Sequence, residues 1–252
     1  MQDYDHKKIS YIIADGGSSD HVLDIVKEYY GRFKQVCFFV SDRNKLPLKL
    51  KYGNPAIDYN VSVSQSEDDL VLRCDPEVVF RNKDMLRFVS SVYDNNCDYL
   101  LHFNTIKVNK EFNPSSDVHM EFVDRFALKG KPYQTDASFC VSYSKRFFME
   151  KMRGYDERFA YNYYCGEDTY ASHWVRINYK FITAPFEYSP IHLWHEEQMC
   201  REDRERVVTT ETVPFIRMLQ SKNENANCGI DNWWHPEIIT NKIIFNAGGG
   251  NE

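Results

Sequence analysis

Short apolar runs that alternate with helix-like stretches constrain this chain more than any other feature. Ile9 to Ala14 is apolar and β-branched and breaks at Asp15-Gly16-Gly17, which reads as a buried strand ending in a turn. Ser18, Ser19 and Asp20 stand where they can cap the helix that follows. Val22, Leu23, Ile25 and Val26 form its apolar stripe, and Gly31 ends it. Val36 to Val40 is a second strand. Ile57 to Ser66 reads as a helix, although Val61 and Val63 oppose it by their stiff χ1. Leu70 to Cys74 is a strand running into Asp75-Pro76-Glu77, and Asn82 can cap a helix through Met85, Leu86, Val89 and Val92. Asp98 to Phe103, Ser138 to Ser142 and Lys180 to Ala184 add strands, and Phe186 to Ile191 is strand-like. Helices are expected at Lys145 to Met152, at Glu167 to Ile177 and around His119 to Ala127.

Strands alternating with helices predict an α/β sheet covered on both faces. Ligands in such sheets bind beyond the carboxyl ends of the strands. Acidic residues collect at those ends: Asp15, then Asp75 with Glu77, then Glu167 and Asp168 after Gly166. The 252 residues suit one large domain or two small ones. Residues 1–195 carry the strand–helix pattern, and 196–252 reads as a helical C-terminal extension.

The net charge of −6 and the absence of a long basic run argue against a nucleic-acid partner, since phosphate neutralisation needs clustered Lys and Arg. A phosphorylated small ligand is compatible with that charge, because a metal ion can supply positive charge locally. Aromatics make up 15% of the chain; most fill the core, and some suit stacking on planar or sugar-like ligands. The seven cysteines form no CxxC pair, so no structural zinc site is signalled, and free thiols in a reducing compartment are the simplest reading. No signal peptide and no apolar run near the ~18 residues of a membrane span is legible, which points to a cytoplasmic protein without a transmembrane segment. Asn60-Val61-Ser62 fits a glycosylation sequon, a triplet that also arises by chance.

Asp75 and Glu77, two apart at a strand end, can both face a crevice and hold a hard divalent cation beside substrate phosphates. The same spacing is common on solvated turns. Gly154-Tyr155-Asp156-Glu157 and Gly166-Glu167-Asp168 place carboxylates near helix starts, where they either favour the helix dipole or serve as a general base. His192 and His195 can converge on one ion, and imidazole beside carboxylate suits Mn²⁺, Zn²⁺ or Fe²⁺.

Together these motifs resemble the GT-A fold glycosyltransferases. Tyr11 to Asp20 is similar to the second-strand motif of the family-2 type, and Asn54 to Phe80 to the stretch holding its acidic-x-acidic metal motif. Gly154 to Ile177 resembles the acceptor-side motif, and His192 to His195 the late metal segment of β-1,4-galactosyltransferases. The order and rough spacing agree over residues 9 to 195. The resemblance implies a Rossmann-like, mostly parallel mixed sheet and a metal-dependent inverting transfer from a UDP-sugar to a saccharide acceptor. It implies Mn²⁺ or Mg²⁺ held by Glu77, Asp75, His195 and His192, and a donor pocket that includes Asp15, Asp20 and Asp75. It further implies Asp168 as catalytic base, Glu167 beside it holding the acceptor, and Tyr164 in place of an acceptor-stacking Trp.

Two departures stand out. Glu77 occupies a position where Asp is usual. The family's first strand should precede Ile9, where only eight residues stand; Ile238 to Phe245 is a candidate to replace it. A non-catalytic nucleotide- or glycan-binding relative and a metal-dependent hydrolase are the competing expectations.

Overall fold

A computed structural model describes residues 2–46, 55–93, 97–114, 127, 139–162, 166–195, 206, 208–221 and 235–246. Strand β1 (Ser10–Asp15) and strand β2 (Gln35–Ser41) pair in parallel, in register from Ser10↔Gln35 to Asp15↔Val40. Helix α1 (Val22–Tyr29) crosses between them. Val26, Val22 and Leu23 pack on Val36 and Phe38 of β2. Ile25 instead faces solvent, because 100° per residue turns it away from that face. The predicted cap also differs: His21, in a left-handed conformation with φ 59°, precedes the helix and makes no side-chain cap bond. Ser18 is drawn back to Asp15 instead, through its amide at 3.1 Å and its hydroxyl at 2.5 Å.

Strand β3 (Leu70–Cys74) follows helix α2 (Ala56–Gln65), and the two-residue strand β4 (Val78–Val79) follows β3. Helix α3 (Met85–Val92) leads to β5 (Tyr99–His102) and β6 (Ile106–Lys107). Strand β7 (Cys140–Ser144) then precedes helices α4 (Arg158–Asn162) and α5 (Glu167–Asn178). Strands β8 (Lys180–Thr183) and β9 (Ile191–His192), helix α6 (Val213–Ser221) and strand β10 (Ile239–Asn246) complete the described elements. Phe186 to Ile191 does not form the expected strand. Bracketed by Pro185 and Pro190, it makes a 3₁₀ turn at Phe186–Tyr188, and pairing is confined to Ile191–His192. Of the helix expected around His119 to Ala127, only Ala127 lies among the described residues, in a bridge to Val108.

The strands form three sheets, ordered β1-β2-β10, β3-β7-β5-β8 and β4-β9-β6. The α/β class and the mixed sheet are as expected. Pairing direction is more evenly divided than expected, with three parallel pairs and four antiparallel ones. Residues 239–246 do supply a strand, but it runs antiparallel along the outer edge of β2. It does not occupy the slot beside β1, whose other edge has no strand partner among the described residues, and neither does the outer edge of β3.

One core joins the first two sheets: Phe39 of β2, Leu100 of β5 and Tyr143 of β7 meet Val61 of α2, Trp174 of α5 and Leu219 of α6. Val61 and Val63 are buried there, so packing overrides their weak helix propensity. No helix among the described residues is long and apolar enough to cross a membrane.

Candidate active site

The turn after β3 brings the acidic pair to the histidines. Val78 N–H donates to Asp75 O at 3.1 Å, closing a tight turn around Pro76 and Glu77. The chain then pairs as β4 with β9, opposing Val78 to His192. Leu193 N–H donates to Glu77 O at 2.9 Å and holds the histidine segment against that turn. As a result Glu77 Oε1 lies 3.2 Å from His192 Nε2 and 3.5 Å from His195 Nε2. A ligand atom from each of the three residues lies within 4.8 Å of the other two. His192 is buried edge-on against Phe139, 4.3 Å between ring centroids, whereas His195 is half exposed and leaves the cluster open on one side.

One carboxylate and two imidazoles are a mixed O/N donor set. That set fits Mn²⁺ better than Mg²⁺, which prefers oxygen ligands and its own water. Burial by itself raises the Glu77 carboxyl; the His192 hydrogen bond and the charges of His192 and His195 outweigh it, leaving Glu77 below the usual carboxylate range and ionised as a ligand must be.

Asp75 stands next to this cluster but is not one of its three members. The Tyr59 hydroxyl donates to Asp75 Oδ1 at 2.7 Å, and Arg73 Nη1 lies 4.0 Å from the same oxygen. The Arg73 guanidinium is buried over the Tyr59 ring at 4.2 Å and the Tyr155 ring at 5.5 Å. Burial holds the Asp75 carboxyl above its ordinary range; Arg73 and Tyr59 oppose this, while the charges of Glu77 and Asp168 reinforce it. Three carboxylates within electrostatic reach of each other are repulsive unless a cation lies among them.

Gly166 begins α5 with φ +112°, a conformation that favours glycine, and its missing Cβ leaves room for Thr212, Phe159 and Ile216. This places Glu167, buried, and Asp168, half-buried, on the first turn. Asp168 Oδ1 accepts from the Thr169 amide at 2.6 Å. Asp168 acts on Asp75 and Glu167 on Tyr59, so both acids belong to the electrostatic surroundings of that pair.

The acids of the preceding motif have another role. Asp156 is fully buried and clamped by Arg158, with Nε 2.9 Å from Oδ1. Glu157 is fully buried, accepts from Asn60 Nδ2 at 2.9 Å and pairs with His235 Nε2 at 2.7 Å. Asn60 also bonds both the amide and the carbonyl of Tyr155, at 2.8 and 2.9 Å. With no exposed surface, Asn60 is a structural bridge, and the sequon is inaccessible in the folded chain.

Asp15 ends β1 half-buried and holds Ser18, and Asp20 is exposed in the loop beyond; neither belongs to the carboxylate–imidazole cluster. Tyr164 lies outside the described residues. Sequence reasoning did not single out Tyr59 or Arg73, and it met Asn60 only as part of a sequon. Arg73 left one signal, as the lone charge in the apolar run Leu70 to Cys74.

No protein-family model and no curated protein matches the chain. Solved structures do. TarS of S. aureus, as residues 1–349 in complex with UDP, superposes with a TM-score of 0.55 at 17% identity, over 90% of this chain and 60% of that one. A second TarS structure gives 0.56 at 18% identity, over 90% of this chain and 36% of that one. The chain thus spans less than two thirds of the TarS chains it matches. A Drosophila β-1,4-galactosyltransferase 7 mutant crystallised with manganese, UDP-Gal and xylobiose gives 0.40 at 11% identity over 78% of this chain and 79% of that one, too loose to define a common fold. The chain has the GT-A fold.

Proposed function

We propose that this chain is the core of a metal-dependent, inverting glycosyltransferase that moves a sugar from a UDP-sugar to a saccharide acceptor. The observation that carries the reading is the meeting of Glu77, His192 and His195 beside Asp75, with Asp168 in electrostatic contact from the start of α5. TarS, whose fold the chain shares, has been crystallised with UDP.

Glu77, His192 and His195 are the residues that would hold Mn²⁺, with Asp75 directed to the ion or to the ribose. The bound ion supplies positive charge against the diphosphate. Asp15 and Asp20 border the nucleoside end. Glu167, together with Tyr164, holds the acceptor. Asp168 takes the proton of the acceptor hydroxyl as that oxygen bonds to the anomeric carbon, the bond from that carbon to the diphosphate oxygen breaks on the opposite face, UDP leaves, and the configuration inverts. Holding donor and acceptor together across the crevice contributes much of the rate.

UDP release from a panel of UDP-sugars, with saccharide acceptors and Mn²⁺, tests the assignment. Asp168→Asn is expected to keep metal-dependent UDP binding and to lose on the order of 10²- to 10⁴-fold in transfer. Wild-type turnover in that variant would remove Asp168 as base. The edge of β1 that has no strand partner among the described residues favours a second reading, nucleotide binding without turnover, for which the wild-type chain would bind UDP and release none from any donor.

A further inference from the structure

We propose that Cys74 and Cys140 form a reversible oxidation site, a dithiol that a hydroperoxide converts into a cross-strand disulfide, and that this disulfide weakens the adjoining nucleotide site. The second half of the proposal rests on the nucleotide-sugar reading above; the first does not.

Cys74 ends β3 and Cys140 begins β7, and the two are register partners in that antiparallel pair. The next pair outward carries the ladder bond, Asp75 N–H to Phe139 O at 3.0 Å, so Cys74 and Cys140 occupy a non-hydrogen-bonded position. Opposed Cα atoms at such positions are about 4.5 Å apart, within the range of about 4.4 to 6.8 Å that a disulfide spans. Their Sγ atoms are already 3.5 Å apart.

The two thiols differ in access. Cys140 has no exposed surface, whereas Cys74 is half-buried, so an oxidant meets Cys74 first. The Cys74 sulfur attacks the peroxide: an S–O bond forms, the O–O bond breaks, and the other oxygen leaves with the thiol proton, as an alcohol or, from hydrogen peroxide, as water. The Cys140 sulfur then attacks the Cys74 sulfur: an S–S bond forms, the S–O bond breaks, and the departing oxygen takes the Cys140 proton as water. In total the two sulfurs lose two electrons and the peroxide gains them.

The bond sits at the edge of the proposed catalytic machinery. Cys74 immediately precedes Asp75, and Cys140 immediately follows Phe139, which packs on His192. Closing the sulfurs from 3.5 Å to a bond of about 2.05 Å turns both side chains within a backbone spacing that already fits, and pins the register neighbours Asp75 and Phe139 beside the new bond. Displacements near 1 Å in a positioned site cost on the order of 10²-fold.

The test treats the reduced chain with hydrogen peroxide and maps its peptides without reduction. A Cys74–Cys140 cross-linked peptide that disappears on adding a phosphine reductant is expected. In Cys140→Ala the expected product is a Cys74 sulfenic acid trapped by dimedone. Recovery of both residues as free thiols while the exposed Cys97 is oxidised would overturn the site. Calorimetry of UDP with Mn²⁺ then reads the coupling: the oxidised chain is expected to bind at least tenfold more weakly and to recover on reduction. Equal affinity in both states would overturn the coupling and leave the cross-link standing. A reduced chain that binds no UDP would overturn the nucleotide reading and the coupling with it, but not the mapped disulfide.

Discussion

The hydroxyl of Tyr59, on α2, donates to Asp75 Oδ1 at 2.7 Å and so ties a helix of the main core to the acidic turn at the end of β3. The same ring supports the Arg73 guanidinium at 4.2 Å. Hydrogen bonds to charged groups contribute about 1.5–3 kcal/mol, and this one opposes the burial that raises the Asp75 carboxyl. Tyr59→Phe keeps the ring and removes the bond. UDP affinity with Mn²⁺ is expected to fall about tenfold, or ~1.4 kcal/mol, with the pH midpoint of binding moved upward. Unchanged affinity and midpoint by calorimetry would show that Asp75 needs no such support.

Gly166→Ala is expected to be costly. The added Cβ would lie 2.6 Å from Thr212 Cγ2 and 3.1 Å from Phe159 Cε1, at φ +112°. Backbone strain and overpacking together predict a loss of about 3 kcal/mol in chemical denaturation. Because Gly166 sets the first turn of α5, transfer should fall by more than the folded fraction does. A loss below about 0.5 kcal/mol would contradict the described packing.

Glu157 makes stability depend on pH. Burial pushes its carboxyl up to about 7, against the Asn60 hydrogen bond and the His235 pair, which lower it. The folded chain therefore keeps this proton at pH values where the unfolded chain, with a carboxyl near 4.5, has lost it. Its stabilising contribution is complete below about pH 4.5 and is lost as the pH rises through about 7. Relative to Glu157→Gln, the wild-type chain is expected to lose on the order of 3 kcal/mol between those limits. Denaturant midpoints of both chains at pH 5 and pH 8 check the sign; a difference that grows in favour of wild type with pH would refute it.

Much of the candidate site was legible because its residues sit where local patterns change. Asp75 and Glu77 follow an apolar strand, Glu167 and Asp168 open a helix, and His192 and His195 stand where a strand stops. The resemblance of these motifs in order also pointed to the GT-A fold. What local pattern could not show were partners joined only by folding. Asn60 meets Tyr155 and Glu157 across 95 and 97 residues, and Gln35 meets Asn246 across 211. The position of β10 was illegible for the same reason: its apolar residues suit a strand, but do not say which edge of β2 or β1 it joins. Proline hid β9, whose pairing is too short to leave a period of two. In α1 the polar run Ser18 to Asp20 offered several caps, and the carboxylate of Asp15 drew Ser18 away from that task.

If Glu77, His192 and His195 hold a divalent cation that completes a UDP site, UDP binding must depend on that ion and on those side chains. Calorimetric titration of UDP into the wild-type chain and into His195→Ala, each with and without Mn²⁺, measures that dependence. At least tenfold tighter UDP binding with Mn²⁺ is expected in the wild type, with a clear loss of that enhancement in the variant. UDP affinity that is the same with and without Mn²⁺, or an enhancement that survives intact in His195→Ala, would contradict that cation site.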